Sequence, residues 1–571
     1  MKGFIKSFFA SLLAIVFLFV VIIGAAALKG REKPKVKDGS YLVVDIYGEI
    51  LPYNPPDDLV AEVFGGEPET LQRILGNLEK AALDDRIKGV IMKVSSSNTL
   101  GYASMEEIRH RIHAVRDAGK KVFAYADNLD RKGLFLASAC DSIFMPPTSE
   151  LFFAGFGLTR SYVRGTLDKL GIEPNIHKID EYKSAAELVL RKDMSPEARE
   201  MINWIYDDFW DVQMQALSDE RGIPRERLVE LMDYALFIAH EARDAGLIDK
   251  VMYWDEIETA LMDEDDDKLR TVSQGTYAKV ERKSLGLHGK KKIAVVHAHG
   301  TIGGRESHVD PMLGIMMGHA SMARELRRVR ADDDVAAVVF RVASPGGESL
   351  ASDLISREIE RLAEEKPVVV SMVDVAASGG YSISYRATKI VADPLTITGS
   401  IGSISGKFNM SGLYNKLGVT FDFVGRGPNG FLWNPYRNFT PAQRERFEEN
   451  HWQGFNIWLE DIAEERGIRL EALQKLAMGR VWTGRQALDN GLIDELGGLD
   501  RAIELARELA ELPADEGVTV VDYPKKKGIL EMISSGGGPH AAMRWVLYRF
   551  IRHDLAQSLE ILSRVSAVPV P

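Results

Sequence analysis

The chain carries two copies of one pattern, and this repeat constrains its fold more than any other feature. Tyr41-Leu-Val-Val-Asp-Ile-Tyr-Gly48 recurs as Ile293-Ala-Val-Val-His-Ala-His-Gly300. Asp85-Arg-Ile-Lys-Gly-Val-Ile-Met-Lys-Val94 recurs as Asp333-Asp-Val-Ala-Ala-Val-Val-Phe-Arg-Val342. Lys169-Leu-Gly171 returns as Lys416-Leu-Gly418, and Gly246-Leu-Ile-Asp249 as Gly491-Leu-Ile-Asp494. Order is kept throughout, so two homologous units are expected. In each, short β-branched runs alternate with amphipathic stretches such as 320–330 and 349–364. That alternation predicts βα crossovers around a largely parallel sheet. The units are set at residues 39–265 and 292–522, and the charged stretch 266–291 between them reads as a linker.

The ends differ in character. Phe8 to Leu28 is almost wholly apolar, with Lys2 and Lys6 before it and Lys29, Arg31 and Lys33 after it. About 20 apolar residues span a bilayer as a helix. Residues 1–28 are therefore expected to be a transmembrane anchor and 29–38 a polar linker. A cleaved signal peptide ending at Gly24-Ala25-Ala26-Ala27 is the alternative. An N-in orientation places the two units across the membrane. The tail, 523–571, contains Ser534-Ser-Gly-Gly-Gly538 and an amphipathic stretch at 543–562. That stretch reads as a helix lying on its own domain or on a membrane surface. A net charge of −12 argues against a general nucleic-acid binder. Cys140 is the only cysteine, so no intrachain disulfide can form.

The residues with chemical potential divide between the units. In the second, the run Val368 to Val375 reads as a buried strand that breaks at Ala376-Ala377-Ser378-Gly379-Gly380. A serine in so sharp a turn can present its Oγ at the end of a sheet, with the bare N–H groups of the glycines behind it. A serine that merely caps the following helix is the bland alternative. Val342-Ala-Ser-Pro-Gly-Gly347 brings a second glycine pair to a strand end, so Gly347 and Gly379 are the candidate oxyanion donors. The first unit has Val94-Ser-Ser-Ser-Asn-Thr99 there, and Arg131 falls near the place of Ser378. It has instead Asp180-Glu-Tyr-Lys-Ser-Ala-Ala-Glu187, and the step from Lys169 to Lys183, taken from Lys416, reaches Gly430. Two units that each give half of one site explain both differences, and neither is then complete alone. His297 and His299 share one side of a strand and could begin a metal site, but no third ligand is evident and a structural pair is expected. A distant His/Asp partner for Ser378 stays open. The GxSxG elbow is absent, because Ala376 holds its first position.

Four motifs together resemble the signal peptide peptidase A (protease IV) family in its long tandem-repeat form. They are SPGG at Ser344–Gly347, ASGGY at Ala377–Tyr381, TGSIG at Thr398–Gly402 and YKSA at Tyr182–Ala185. The resemblance spans the anchor and both repeats, and the tail after Tyr523 carries no motif. It implies two tandem α/β domains of the Clp protease/crotonase kind, lysine-bearing first and serine-bearing second. It implies a serine endopeptidase with a Ser/Lys dyad: Ser378 as nucleophile, Lys183 as general base and Ser400 orienting the lysine. The implied substrates are released signal peptides, with no metal, nucleotide or other cofactor and no nucleic acid. The implied setting is the bacterial inner membrane, with a ring-like homotetramer on the periplasmic side. Ala343 departs from the family, which often has a polar residue before SPGG. A crotonase-like acyl-CoA hydrolase and a catalytically decayed membrane scaffold are the competing readings. A lysine base must be neutral, so its ordinary pKa of ~10.4 must fall. Asp180, Glu181 and Glu187 oppose that fall and are expected to point away.

Overall fold

The computed structural model describes residues 34–54, 68–310, 313–513 and 516–525. The apolar stretch Phe8–Leu28 and the tail stretch 543–562 lie outside the described residues. Among the described residues, no helix is long and apolar enough to cross a membrane.

Both units are α/β, each built on a parallel sheet. The first unit uses β1 (Ser40–Gly48), β2 (Ile87–Asn98), β3 (Lys121–Tyr125), β4 (Ser142–Met145) and, farther along the chain, β5 (Glu173–Lys178) and β6 (Thr271–Ser273). Its six-stranded sheet runs Lys250–Val251, β4, β3, β2, β1, β6, every pair parallel. The second unit uses β7 (Lys292–His299), β8 (Val335–Ser344), β9 (Val368–Ala377), β10 (Ile397–Gly399), β11 (Ile404–Asn409), β12 (Val481–Thr483) and β13 (Thr519–Tyr523). Its sheet runs β12, β10, β9, β8, β7, β13, parallel except where β12 meets β10. The central strands are covered on both faces and read as continuous apolar runs, as parallel strands do. In β9, Val368, Val369, Val370, Met372 and Val373 are all buried.

The two sheets do not stand apart. Between them lie α1 (Leu71–Leu83) and α2 (Tyr102–Asp117) from the first unit, with one helix from the second, Leu499–Leu509. One core joins Leu42, Val44, Ile74 and Ile108 of the first unit to Ile293, Val295, Val339 and Ala502 of the second. Two long helices of equal length mark the repeat again: α3 (Pro196–Arg221) and its counterpart Pro441–Arg466, 26 residues each. Ser195 and Thr440 cap them, Pro196 and Pro441 open them, and Gly222 and Gly467 close them in the left-handed conformation. Two contacts tie the first unit to the second near the strand ends. Strand β5 pairs antiparallel with β11, Ile176 opposite Gly406. Trp204 of α3 stacks on Trp482 of β12 at 5.2 Å.

The structure corrects the expected linker at 266–291. Thr271–Ser273 is β6, the edge strand beside β1, and Tyr277 is fully buried in the first unit. Lys80 Nζ donates to the carbonyls of Tyr277, Ala278 and Val280. The charge that suggests a linker belongs to the outer surface of an ordered segment. The repeat carries this feature as well, since Thr271-Val opens β6 as Thr519-Val opens β13.

Candidate active site

Strand β9 delivers Ser378 to the carboxyl end of the sheet, between β10 and β8. The Ser378 N–H donates to Gly399 O at 2.8 Å, which closes the last rung beside β10. The backbone then turns with φ 57° and ψ −117°, a region that costs a side-chain-bearing residue strain. Ser378 stands at the N-cap of the short helix Gly379–Ser382, yet its side chain makes no capping bond. The capping alternative is therefore not adopted, and the Oγ faces a lysine instead.

That lysine is Lys183. Its Nζ lies 3.0 Å from Ser378 Oγ, 2.9 Å from Ser400 Oγ and 2.7 Å from Ser400 O. Ser400 is itself held in a left-handed turn, φ 51°, with its N–H donating to Arg480 O at 2.6 Å. The lysine stem passes between two glycines. A Cβ on Gly479 would be 2.4 Å from Lys183 N, and one on Gly402 would be 3.2 Å from Lys183 Cδ. Sequence reasoning singles out neither glycine. Gly402 ends the TGSIG motif and so has a signal, whereas Gly479 has none. Lys183 is only 6% exposed, and burial brings its pKa down to about 7. Of the neighbouring acids, Glu187 is engaged elsewhere, accepting from Ser195 Oγ at 2.5 Å, and Glu181 is exposed. Burial, with Glu181 nearby, raises the pKa of the Asp180 carboxyl.

The Ser-Pro-Gly-Gly turn packs directly behind this pair. Buried Ser344 donates from Oγ to Gly300 O at 2.7 Å and accepts from Gly346 N at 3.1 Å. Gly346 has φ 100°, and a Cβ there would be 2.6 Å from Gly379 N and 2.9 Å from Ser378 Cβ. Gly347 has φ 155°, and a Cβ there would be 1.9 Å from Ile302 O. The bridge to Ile302 uses the N–H groups of Ile302 and Glu348, which leaves that of Gly347 out of the ladder. Gly379 opens its helix, so its N–H has no intrahelical acceptor. A Cβ on Gly379 would be 3.0 Å from Gly347 N, so the two donors stand side by side next to Ser378.

Other residues with a sequence signal fall away from this centre. His297 Nε2 lies 2.8 Å from Asp522 Oδ1, and its ring stacks on Tyr53 at 3.9 Å. Burial takes the His299 imidazole down to about 4. Among the described residues, no group of three or more His, Cys, Asp or Glu is placed to hold a metal. A second histidine pair, which no sequence motif marks, lies at the joint. His177 Nδ1 of β5 is 2.9 Å from His451 Nδ1, and His451 Nε2 is 2.7 Å from Ser403 Oγ.

Known proteins share this plan over most of its length. "Serine protease SPPA, chloroplastic" of Arabidopsis thaliana is 35% identical over 514 residues, 88% of this chain and 74% of that protein. "Protease 4" of Salmonella typhi is 30% identical over 524 residues, 87% of this chain and 83% of that one. "Protease 4" of Haemophilus influenzae is 32% identical over 458 residues, 77% and 73% respectively. The pattern of Peptidase family S49 matches twice, at residues 114–268 and 360–513. The first match contains Lys183 and the second contains Ser378 and Ser400. With one matched region in each unit and relatives similar over most of the chain, the chain belongs to Peptidase family S49 and is a serine peptidase.

Proposed function

We propose that the chain is an endopeptidase working through a Ser378/Lys183 dyad assembled between its two units. The observation that carries this reading is the 3.0 Å approach of Lys183 Nζ to Ser378 Oγ, with Ser400 holding the same nitrogen. A lysine titrating at about 7 is substantially neutral near neutral pH and so able to accept a proton. Ser378 Oγ attacks the peptide carbonyl as Lys183 Nζ takes its proton. The carbonyl oxygen becomes an oxyanion beside the N–H groups of Gly347 and Gly379, each worth on the order of 3 kcal/mol in such a hole. Lys183 then passes the proton to the departing amine, leaving an ester on Ser378. Water, deprotonated by the same lysine, releases the acyl half.

The substrates on this reading are signal peptides already cut from their precursors. The apolar stretch Phe8–Leu28 supports a membrane anchor, which would hold the site near such peptides at the periplasmic face of a bacterial inner membrane. A ring of four chains fits the repeat. Residues 420–425 follow Lys-Leu-Gly as β5 does, yet they have no strand partner among the described residues, and Val424 is 87% exposed. Residues 157–162, the counterpart of β11, are likewise unpaired among the described residues. A second copy could pair one with the other head to tail, and such contacts close into rings. The decisive experiment is labelling of the full chain with a fluorophosphonate. Modification at Ser378 that requires Lys183 and rises through pH 7 is expected. A label elsewhere, or one indifferent to Lys183, would refute the dyad.

A further inference from the structure

Strand β9 is irregular just before it delivers Ser378. Val342 pairs with Met372 but Ser344 pairs with Ala376, so β9 holds extra residues between the two rungs. Bulges of this kind re-aim a side chain and cluster near active sites. The residue re-aimed here is Asp374, and its carboxylate reaches into the first unit. Oδ1 accepts from Ser104 N at 2.9 Å, Oδ2 accepts from Gly101 N at 3.3 Å, and the Ser104 hydroxyl also donates to Oδ2. These are the first groups of α2, whose own N-cap, Gly101, has no side chain to offer. A Cβ on Gly101 would be 2.1 Å from Asp374 Oδ1, so the cap from the other unit occupies that space. The same helix holds β9 at a second point. Glu107 takes both terminal nitrogens of Arg341, whose Nη1 also donates to Ser371 Oγ of β9 at 2.7 Å. The repeat gives a control. Asp127 precedes Arg131 as Asp374 precedes Ser378, and Asp127 is exposed.

We infer that Asp374 is a positioning residue. By capping α2 across the joint it fixes the end of β9 against the first unit, and so sets the reach from Ser378 to Lys183. The inference rests on the dyad reading above. Misplacement of reacting groups by about 1 Å can cost on the order of 100-fold in rate. A cap that only stabilised α2 would change the melting temperature and leave the chemistry of the folded enzyme alone.

The test uses the full chain and its Asp374→Ala, Asp374→Asn and Ser104→Ala variants, with fluorophosphonate labelling and peptide turnover followed against pH. Asp374→Ala should lower kcat by roughly 10- to 100-fold at nearly unchanged KM. Its labelling midpoint should move to higher pH, because a looser joint lets water back to Lys183 Nζ. Asp374→Asn keeps an acceptor oxygen and should recover most of the rate. Ser104→Ala should show part of the defect, and adding it to Asp374→Ala should make matters no worse. Wild-type kcat and midpoint in Asp374→Ala, with only a lower melting temperature, would overturn the inference. If Asp374→Ala does not fold, an unmoved midpoint in Ser104→Ala overturns it equally. A wild-type chain that is not labelled at Ser378 defeats both readings, whereas a labelled one with indifferent variants defeats this one alone.

Discussion

Where Ser378 ends β9, the first unit has Asp130 and Arg131. Asp130 is extended, φ −104° and ψ 178°, and its carboxylate accepts from Gly133 N at 2.6 Å. That is an ordinary capped helix start, worth about 1 kcal/mol. Arg131 fills the space beyond, donating to Ala154 O at 2.8 Å and to Tyr102 OH at 3.0 Å, with its guanidinium 3.6 Å over Phe156. The second unit has the opposite arrangement. Ser378 has a positive φ and gives up the cap, and two glycine turns crowd behind it. One sheet plan thus ends in a relaxed turn in one copy and a strained turn in the other. The comparison teaches that strain, rather than the fold, distinguishes a reactive strand end from an inert one. Strain of this kind costs about 1–3 kcal/mol and persists only where the surroundings over-determine it.

Removing the hydroxyl tests the contrast at its strongest. Ser378→Ala should lower peptide turnover by on the order of 10⁴-fold or more while the melting temperature holds or rises slightly. Substantial turnover by this variant would mean that the reactive group lies elsewhere and that the two turns differ for another reason.

The lysine should separate activity from stability. Lys183→Met should cost on the order of 10²–10⁴ in kcat, the worth of a general base. Its effect on stability runs the other way. Unfolded, the lysine keeps its proton up to pH ~10.4, whereas folded it releases it at about 7. Between these values the unfolded state binds more protons, so wild-type stability climbs with pH, and below 7 the full cost of a buried charge remains. Lys183→Met lacks that cost, so it should melt higher than wild type at pH 6, with the gap narrowing towards pH 10. Wild-type activity should rise with pH through about 7. A variant melting below wild type at pH 6 would show that the Nζ contacts outweigh desolvation.

Which parts of this are legible in the sequence follows from how local each signal is. Ser378, the glycine pairs and the strand before them are contiguous, so a β-branched run broken by Ala-Ser-Gly-Gly carries them. Lys183 is legible because the repeat places Gly430 at the matching step and because it stands in the YKSA motif, Tyr182–Ala185. Residues 266–291 mislead because composition reports the charged surface and not the buried Tyr277 beneath it. Asp374 is invisible for a different reason. It looks like one polar interruption in an apolar strand, and its partner Ser104 is 270 residues away. Gly479 likewise matters only because the first unit lays Lys183 against it.

A smaller effect sharpens the comparison within the second unit. Ser400 supplies Lys183 with a hydroxyl at 2.9 Å and a carbonyl at 2.7 Å. Ser400→Ala removes only the first, a bond worth about 1–1.5 kcal/mol. Turnover should fall roughly tenfold, with most of the loss in kcat. A silent Ser400→Ala would leave the carbonyl as sufficient anchor for the lysine, and a loss as deep as that of Lys183→Met would give the hydroxyl a direct part in proton transfer.

The smallest effect belongs to the first unit's own turn. If Arg131 is only a filler where the second unit keeps a nucleophile, Arg131→Ala should leave turnover within about twofold of wild type. Its two hydrogen bonds and its stacking on Phe156 each contribute about 0.5–1.5 kcal/mol, so the loss should appear as a lower melting temperature. The Asp130 cap is untouched, and the helix Arg131–Ala137 should still start at the same residue. Arg131→Ser puts a hydroxyl at the matching place but in a relaxed turn, without a glycine pair behind it or a lysine beside it. It should therefore take no fluorophosphonate label when Ser378 is also changed to alanine. Labelling of Arg131→Ser in that background would mean that a hydroxyl at the strand end is enough, and that the strained turn has no part in making Ser378 reactive.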